Sequence, residues 1–362
     1  MLYFLLYPLK DIFSIFNVLQ YITFRAVSAT LTSIIISLFF GRYIIEKLKE
    51  LQIEESIRND GPATHLKKIG TPTMGGIIIL ISVLVSTILW ARLDNMYIIT
   101  ILVGTTMMGI LGIIDDYIKI KLKNKKGLIP RYKFLGQILT AIIITYLMYK
   151  LPISKELITK TSIPLMKNVL LNYGIFFIPA VIFIIVGASN AVNITDGLDG
   201  LAIGLIAISF VGLSILAYIS GNIKAASYLH MLYLPGSGEL TIFTMSIIGA
   251  SLGFLWYNSH PASVFMGDTG SLALGGALGI TAILLKKELF LIILGGVFII
   301  ETLSVILQVG SYKLRNKKRI FKMAPIHHHF ELSGWHENKV VVRFWIIGIM
   351  LLLLTLAIIK VQ

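Results

Sequence analysis

Ten separate stretches of this 362-residue chain are apolar over lengths comparable to the roughly 17–20 residues an α-helix needs to cross a hydrocarbon core, and nothing else limits the fold as strongly. They lie near 20–41, 72–90, 97–114, 134–150, 171–188, 198–219, 240–257, 269–285, 289–310 and 340–360. The composition agrees: 56% of residues are hydrophobic and 14% charged, against about 45–50% and about 25% for a soluble domain. A soluble globular enzyme is thereby excluded, and an all-α polytopic membrane protein is expected. The absence of Cys excludes disulfides, zinc-thiolate sites, iron–sulfur clusters and a cysteine nucleophile, and leaves the redox compartment open. The first stretch is the weakest, because it carries Arg25 and many hydroxyls. Residues 1–16, with Pro8, Lys10 and Asp11 in a short apolar run, read as interfacial. With no charge before Lys10 they lack the n-region of a signal peptide.

A net charge of +14 is compatible with nucleic acid, anionic lipid or a phosphorylated substrate, and its distribution separates these. The loops after spans one, three and nine hold 20 of the Lys and Arg residues, whereas the opposite loops and both termini hold 10. By the positive-inside rule the first set is cytoplasmic and both termini are external, on the periplasmic side. The charge thus follows a membrane face, and no nucleic-acid partner is expected. No loop is long enough for an independent core, so residues 1–362 form one integral membrane domain. Its cytoplasmic loops near 42–71, 115–133, 189–197, 258–268 and 311–339 form the active-site face.

Five of the eight Asp lie at that face: Asp115, Asp116, Asp196, Asp199 and Asp268. Solvated span boundaries would also carry acids. Asp115 and Asp116 fit that account poorly, since a helix C-terminus disfavours anions. Two carboxylates about 5–6 Å apart repel by roughly 3 kcal/mol at an effective dielectric of about 20, so the pair calls for a cation. Lys119, three and four residues on, shares their helical face.

The segment Asn190-Ala191-Val192-Asn193-Ile194-Thr195-Asp196-Gly197-Leu198-Asp199-Gly200 reads as a polar turn between spans. Thr195 or Asp196 can N-cap span six, yet two Asn and two Asp with flanking Gly fit a pocket for a hydroxylated or metal-bound ligand better than a cap alone. In Asn258 to Ser271, Asp268 or Thr269 can cap span eight. The same helix start suits phosphate, with Asp268 holding a bridging Mg²⁺ and Phe265 offering a face to a base. Hard oxygen ligands without Cys favour Mg²⁺ or Mn²⁺ over zinc. His327-His328-His329 follows Ala324-Pro325-Ile326 in a basic loop. Adjacent side chains diverge, which suits donors to a diphosphate better than three ligands to one ion. Glu301, inside span nine, is placed outside the site, as a hydrogen-bonded contact between helices with Thr302, Ser304 and Gln308 nearby.

Taken together, Thr71-Pro72-Thr73-Met74-Gly75-Gly76, the Asp115-Asp116 pair, Asn190 to Gly200, Phe265 to Ser271 and Ala324 to Glu331 resemble, in order, the bacterial phospho-N-acetylmuramoyl-pentapeptide transferase family. The resemblance runs from Lys10 to the C-terminus. That family belongs to the polyprenyl-phosphate N-acetylhexosamine 1-phosphate transferases, ten-helix enzymes of the bacterial cytoplasmic (inner) membrane with a cytoplasmic active site. It implies transfer of phospho-N-acetylmuramoyl-pentapeptide from UDP-N-acetylmuramoyl-pentapeptide to undecaprenyl phosphate, giving lipid I and UMP with Mg²⁺ in peptidoglycan synthesis. Carried onto matching positions, Asp268 is the expected metal ligand, and Asp115 and Asp116 are the acids beside the lipid phosphate. Asn193, Asp196, Asp199, Asn258 and Phe265 become nucleoside and sugar-phosphate contacts, and Lys68, Lys119, Lys133, His327 and His328 partners of phosphate. A homodimer is left open. A sister transferase using UDP-N-acetylglucosamine would share the aspartates, and the Ala324 to Glu331 segment favours the muramoyl donor. A transporter would instead place its polar breaks near the midplane.

Overall fold

The computed structural model describes residues 1–51, 70–121, 127–166 and 169–361. Among the described residues, ten long helices occupy the ten apolar stretches: α1 Ile22–Glu50, α2 Gly76–Trp90, α3 Met96–Lys121, α4 Pro130–Met148, α5 Phe177–Thr195, α6 Leu201–Ser220, α7 Leu240–Asn258, α8 Gly267–Leu284, α9 Gly296–Leu314 and α10 Glu337–Val361. Among the described residues, eight helical spans are long and apolar enough to cross a membrane, and the chain is a multi-pass membrane protein. The other two are α2, which has only 15 residues, and α4, which begins with Arg131 and Lys133. Leu2–Leu6 and the turns that follow it to Gln20 are short helical pieces with Leu5, Ile12, Phe13 and Ile15 exposed, as an interfacial segment requires.

Packing accounts for the charge within α1 and for the low apolarity of α8. Arg25 is buried, but its guanidinium makes a two-bond pair with Glu239, at 2.8 and 2.6 Å, just before α7. A charge in a span is tolerated when it is paired in this way. Below it, Ala29, Ser33 and Ser37 are fully buried against α7, with Ser33 Oγ donating to the Ser246 carbonyl at 2.7 Å. Small residues of this kind let two backbones approach in lipid. Helix α8 is rich in Gly and Ala and almost wholly buried, so its neighbours, and not lipid, are its solvent.

Several boundaries differ from the sequence expectation. α3 continues through Asp115 and Asp116 to Lys121, so both acids stand in its last turns and not in a loop. α5 continues to Thr195, which puts Asn190 and Asn193 on helix as well. Neither Thr195 nor Asp196 caps α6: its N-cap is Gly200, without a side-chain bond. The segment between α4 and α5 holds an antiparallel hairpin, β1 Lys160–Ser162 with β2 Leu170–Asn172, pairing Thr161 with Leu171. This hairpin is tied to the far end of α8, where Lys286 Nζ donates to the Ile158 carbonyl at 2.6 Å and Thr161 Oγ1 bonds Glu288. Burial pushes the Glu288 carboxyl up to about 7 and the Lys286 and Lys287 amines down to about 8.

Candidate active site

The end of α3 meets the start of α8 at Gly112. A Cβ there would stand 2.3 Å from the Asp268 carbonyl oxygen, so only glycine allows the crossing. That crossing explains Asp116. Its Oδ1 accepts from the Asp268 N–H at 3.1 Å, and its Oδ2 from the Thr269 N–H at 2.9 Å and the Thr269 hydroxyl at 2.7 Å. The residue at the N-cap position of α8, Met266, supplies no side-chain bond. Asp116 therefore caps α8 from another helix, with its charge at the positive end of the macrodipole. The capping expected of Asp268 or Thr269 is done by a residue 152 positions before Asp268.

Freed from capping, Asp268 turns its carboxylate to the cluster. Oδ2 accepts from Lys119 Nζ at 2.8 Å and Lys133 Nζ at 2.7 Å, and Oδ1 from Asn193 Nδ2 at 2.6 Å. Asp115, 2% exposed, lies 2.6 Å from the same Lys119 ammonium through Oδ2 and accepts the Leu128 N–H at 2.9 Å through Oδ1. Four helices thus converge two lysines, three carboxylates and an amide. Oxygens of Asp115, Asp116 and Asp268 lie within 4.8 Å of one another, close enough to hold a metal ion. The donor set fits a hard divalent cation. Lys119 Nζ already bridges Asp115 and Asp268, marking a point where both carboxylates receive positive charge.

The polar turn after α5 is held by a second cluster. Asp199 Oδ2 accepts from the Ala262 N–H at 3.1 Å and lies 3.0 Å from His260 Nδ1, while the Asp199 N–H donates to Glu337 Oε1 at 2.8 Å. Asn258 Oδ1 accepts the Gly200 N–H at 3.1 Å, and Asn258 Nδ2 donates to the Val264 carbonyl at 2.9 Å. Asp199 and Asn258 thus fix the turn and the loop after α7 to each other. Asp196 and Phe265 are half-buried beside them, and the Phe265 backbone pairs with Pro72 and Gly75. Lys68 lies outside the described residues.

The three histidines take separate partners but do not all diverge, since the His327 and His328 rings are in contact with centroids 4.1 Å apart. On the short helix Ile326–Glu331, His328 Nδ1 lies 2.8 Å from Glu331 and His329 Nδ1 accepts the Lys322 N–H at 3.1 Å. His327 Nδ1 lies 3.1 Å from Glu301 Oε2, and both side chains are fully buried. Sequence reasoning set Glu301 aside, and it missed His260 and Glu337. A lone acid in an apolar span was the available signal for Glu301; His260 and Glu337 carried none.

The bundle of apolar helices buries carboxylates and lysines at the junction of α3, α4, α5 and α8, the candidate centre of a polytopic membrane transferase, and residues 98–286 match the model for glycosyl transferase family 4. Over its full length the chain is 54% identical to a phospho-N-acetylmuramoyl-pentapeptide-transferase of Thermodesulfovibrio yellowstonii, 50% to one of Endomicrobium trichonymphae and 52% to one of Citrifermentans bemidjiense, each covered completely. The chain belongs to the phospho-N-acetylmuramoyl-pentapeptide-transferase family.

Proposed function

We propose that this protein transfers phospho-N-acetylmuramoyl-pentapeptide from UDP-N-acetylmuramoyl-pentapeptide to undecaprenyl phosphate, forming lipid I and UMP. The observation that carries the reading is Asp268, gripped by Lys119, Lys133 and Asn193 in a chain related to this family from end to end. A lipid phosphate oxygen forms the new bond to the sugar-linked phosphorus, the bond from that phosphorus to the bridging oxygen breaks, and UMP leaves with that oxygen. Phosphoryl transfer asks mainly for positioning and charge stabilisation. Lys119 and Lys133 supply cationic donors to the diphosphate, Asp115 orients Lys119, and Asp116 sets Asp268 by capping α8. Asp199 and Asn258 hold the turn on which Asp196 meets the nucleotide, and Phe265 offers its ring to the base. Lys68 and His328 are assigned to phosphate. Mg²⁺, held by Asp268 with Asp115 beside it, would neutralise diphosphate charge. Purified protein given undecaprenyl phosphate and each UDP-sugar in turn should release UMP only with the muramoyl-pentapeptide donor. Chelation should stop release and Mg²⁺ restore it. Release from UDP-N-acetylglucosamine instead would move the protein to the sister transferases, and release from neither would defeat the reading.

We place the site on the cytoplasmic face of the bacterial inner membrane, on the strength of the asymmetry of 20 against 10 basic residues. The chain has no native Cys, so single cysteines report cleanly. Lys318→Cys and Met166→Cys replace exposed residues after α9 and between β1 and β2. An impermeant thiol reagent on intact cells should label only Met166→Cys. The reverse pattern would invert the assignment.

A further inference from the structure

Glu301 and His327 are both fully buried, and beyond their mutual contact at 3.1 Å the remaining polar atom of each, Glu301 Oε1 and His327 Nε2, has no hydrogen-bond partner among the described residues. Buried polar groups are rarely left so, and an exception calls for a reason. The direction of Nε2 supplies one. It points at Gly197, where a Cβ would stand 2.3 Å from it. Gly197 has an ordinary negative φ, so glycine is needed there for close approach and not for turn geometry. The imidazole is therefore packed directly under the turn that carries Asp196 and Asp199. A carboxylate that accepts from Nδ1 fixes the ring's orientation and directs Nε2 outward.

We propose that Glu301 is a positioning residue for the transfer: acting through His327, it holds the turn 195–199 where it receives the uridine diphosphate donor. The inference rests on the function proposed above. α9 carries the acid, the loop before α10 carries the imidazole and the end of α5 carries the turn, so one buried pair couples three elements distant in sequence. The sugar nucleotide is the substrate affected, because the turn carries Asp196, assigned above to the nucleotide, whereas the residue assigned beside the lipid phosphate, Asp115, stands on α3.

The test is a double-mutant cycle on the full-length protein in detergent. Glu301→Gln keeps size and an acceptor but removes charge, and it should lower kcat/KM for the UDP donor about 10- to 100-fold, the range for groups that orient another functional side chain. KM for undecaprenyl phosphate should stay unchanged. His327→Ala should cost at least as much, and Glu301→Gln added to it should cost nothing further. Effects that multiply, KM values that rise equally for both substrates, or donor kcat/KM within twofold of wild type would overturn the proposal. If Glu301→Gln does not fold, Gly197→Ala probes the other side of the ring and should raise the donor KM alone. If wild type releases no UMP, the proposed reaction has failed; calorimetric UMP binding across the same four proteins then reads the coupling, with the same non-additivity expected.

Discussion

Asp268→Asn is expected to lower turnover by about 1,000-fold or more, the scale for removing a group that stabilises charge in a phosphoryl transfer, while leaving the fold intact. Both halves follow from the contacts. Oδ2 receives two ammonium donors and Oδ1 receives the Asn193 amide, so all three neighbours donate. An Asn side chain has one acceptor oxygen and must turn its NH₂ toward either the two lysines or another NH₂. Lys119 and Lys133 then lose their shared anion, and the position that would hold Mg²⁺ loses its charge. The fold should survive because α8 is capped by Asp116 through backbone groups that the substitution does not touch. The measurement is UMP release at saturating Mg²⁺ beside a thermal unfolding curve. Activity within tenfold of wild type, with an unchanged midpoint, would reduce Asp268 to an electrostatic anchor for the two lysines.

The sequence made the helices legible because lipid imposes one simple rule, a sufficient run of apolar residues, and that rule is local. It also exposed Asp115, Asp116 and Asp268, since acids at span ends are costly without a task. Helix ends were harder to read. α3 runs seven residues beyond the expected end at 114, and its Asp115 and Asp116 are buried there against protein, whereas Tyr117 and Lys121 remain exposed. Asn193 likewise sits on helix, where its amide reaches both Asp268 and Ser271. Asp116 shows a second limit. Capping signatures are sought within a few residues of a helix start, and here the cap arrives from a helix packed alongside. The Glu301–His327 pair joins residues 26 apart, and its third member, Gly197, is recognisable only once the imidazole is seen beneath it.

Asp115→Asn is the other substitution expected to be severe, lowering turnover by roughly 100- to 1,000-fold, within the range for a lost acid–base or orienting group. Its cause decides between two chemistries. A nucleophilic Asp115 would attack the donor, release UMP and carry the phosphosugar until lipid arrived, so that UMP appeared in a burst before any lipid was added. An orienting Asp115 would hold Lys119 and the lipid phosphate in register for a single displacement. The geometry favours the second. One carboxylate oxygen accepts the Leu128 N–H and the other faces the Lys119 ammonium, and the side chain is 2% exposed, so neither oxygen is presented for in-line attack. Nor is a covalent step needed, because a phosphate monoester with a second pKa near ~6 is largely dianionic at neutral pH and already a competent nucleophile. Enzyme stripped of polyprenyl phosphate should therefore release no stoichiometric UMP. Asp115→Asn should be slow at every pH, with its residual activity rising as the phosphate loses its second proton near pH ~6. A burst of one UMP per wild-type enzyme that is absent from Asp115→Asn would establish the two-step route and make Asp115 the nucleophile.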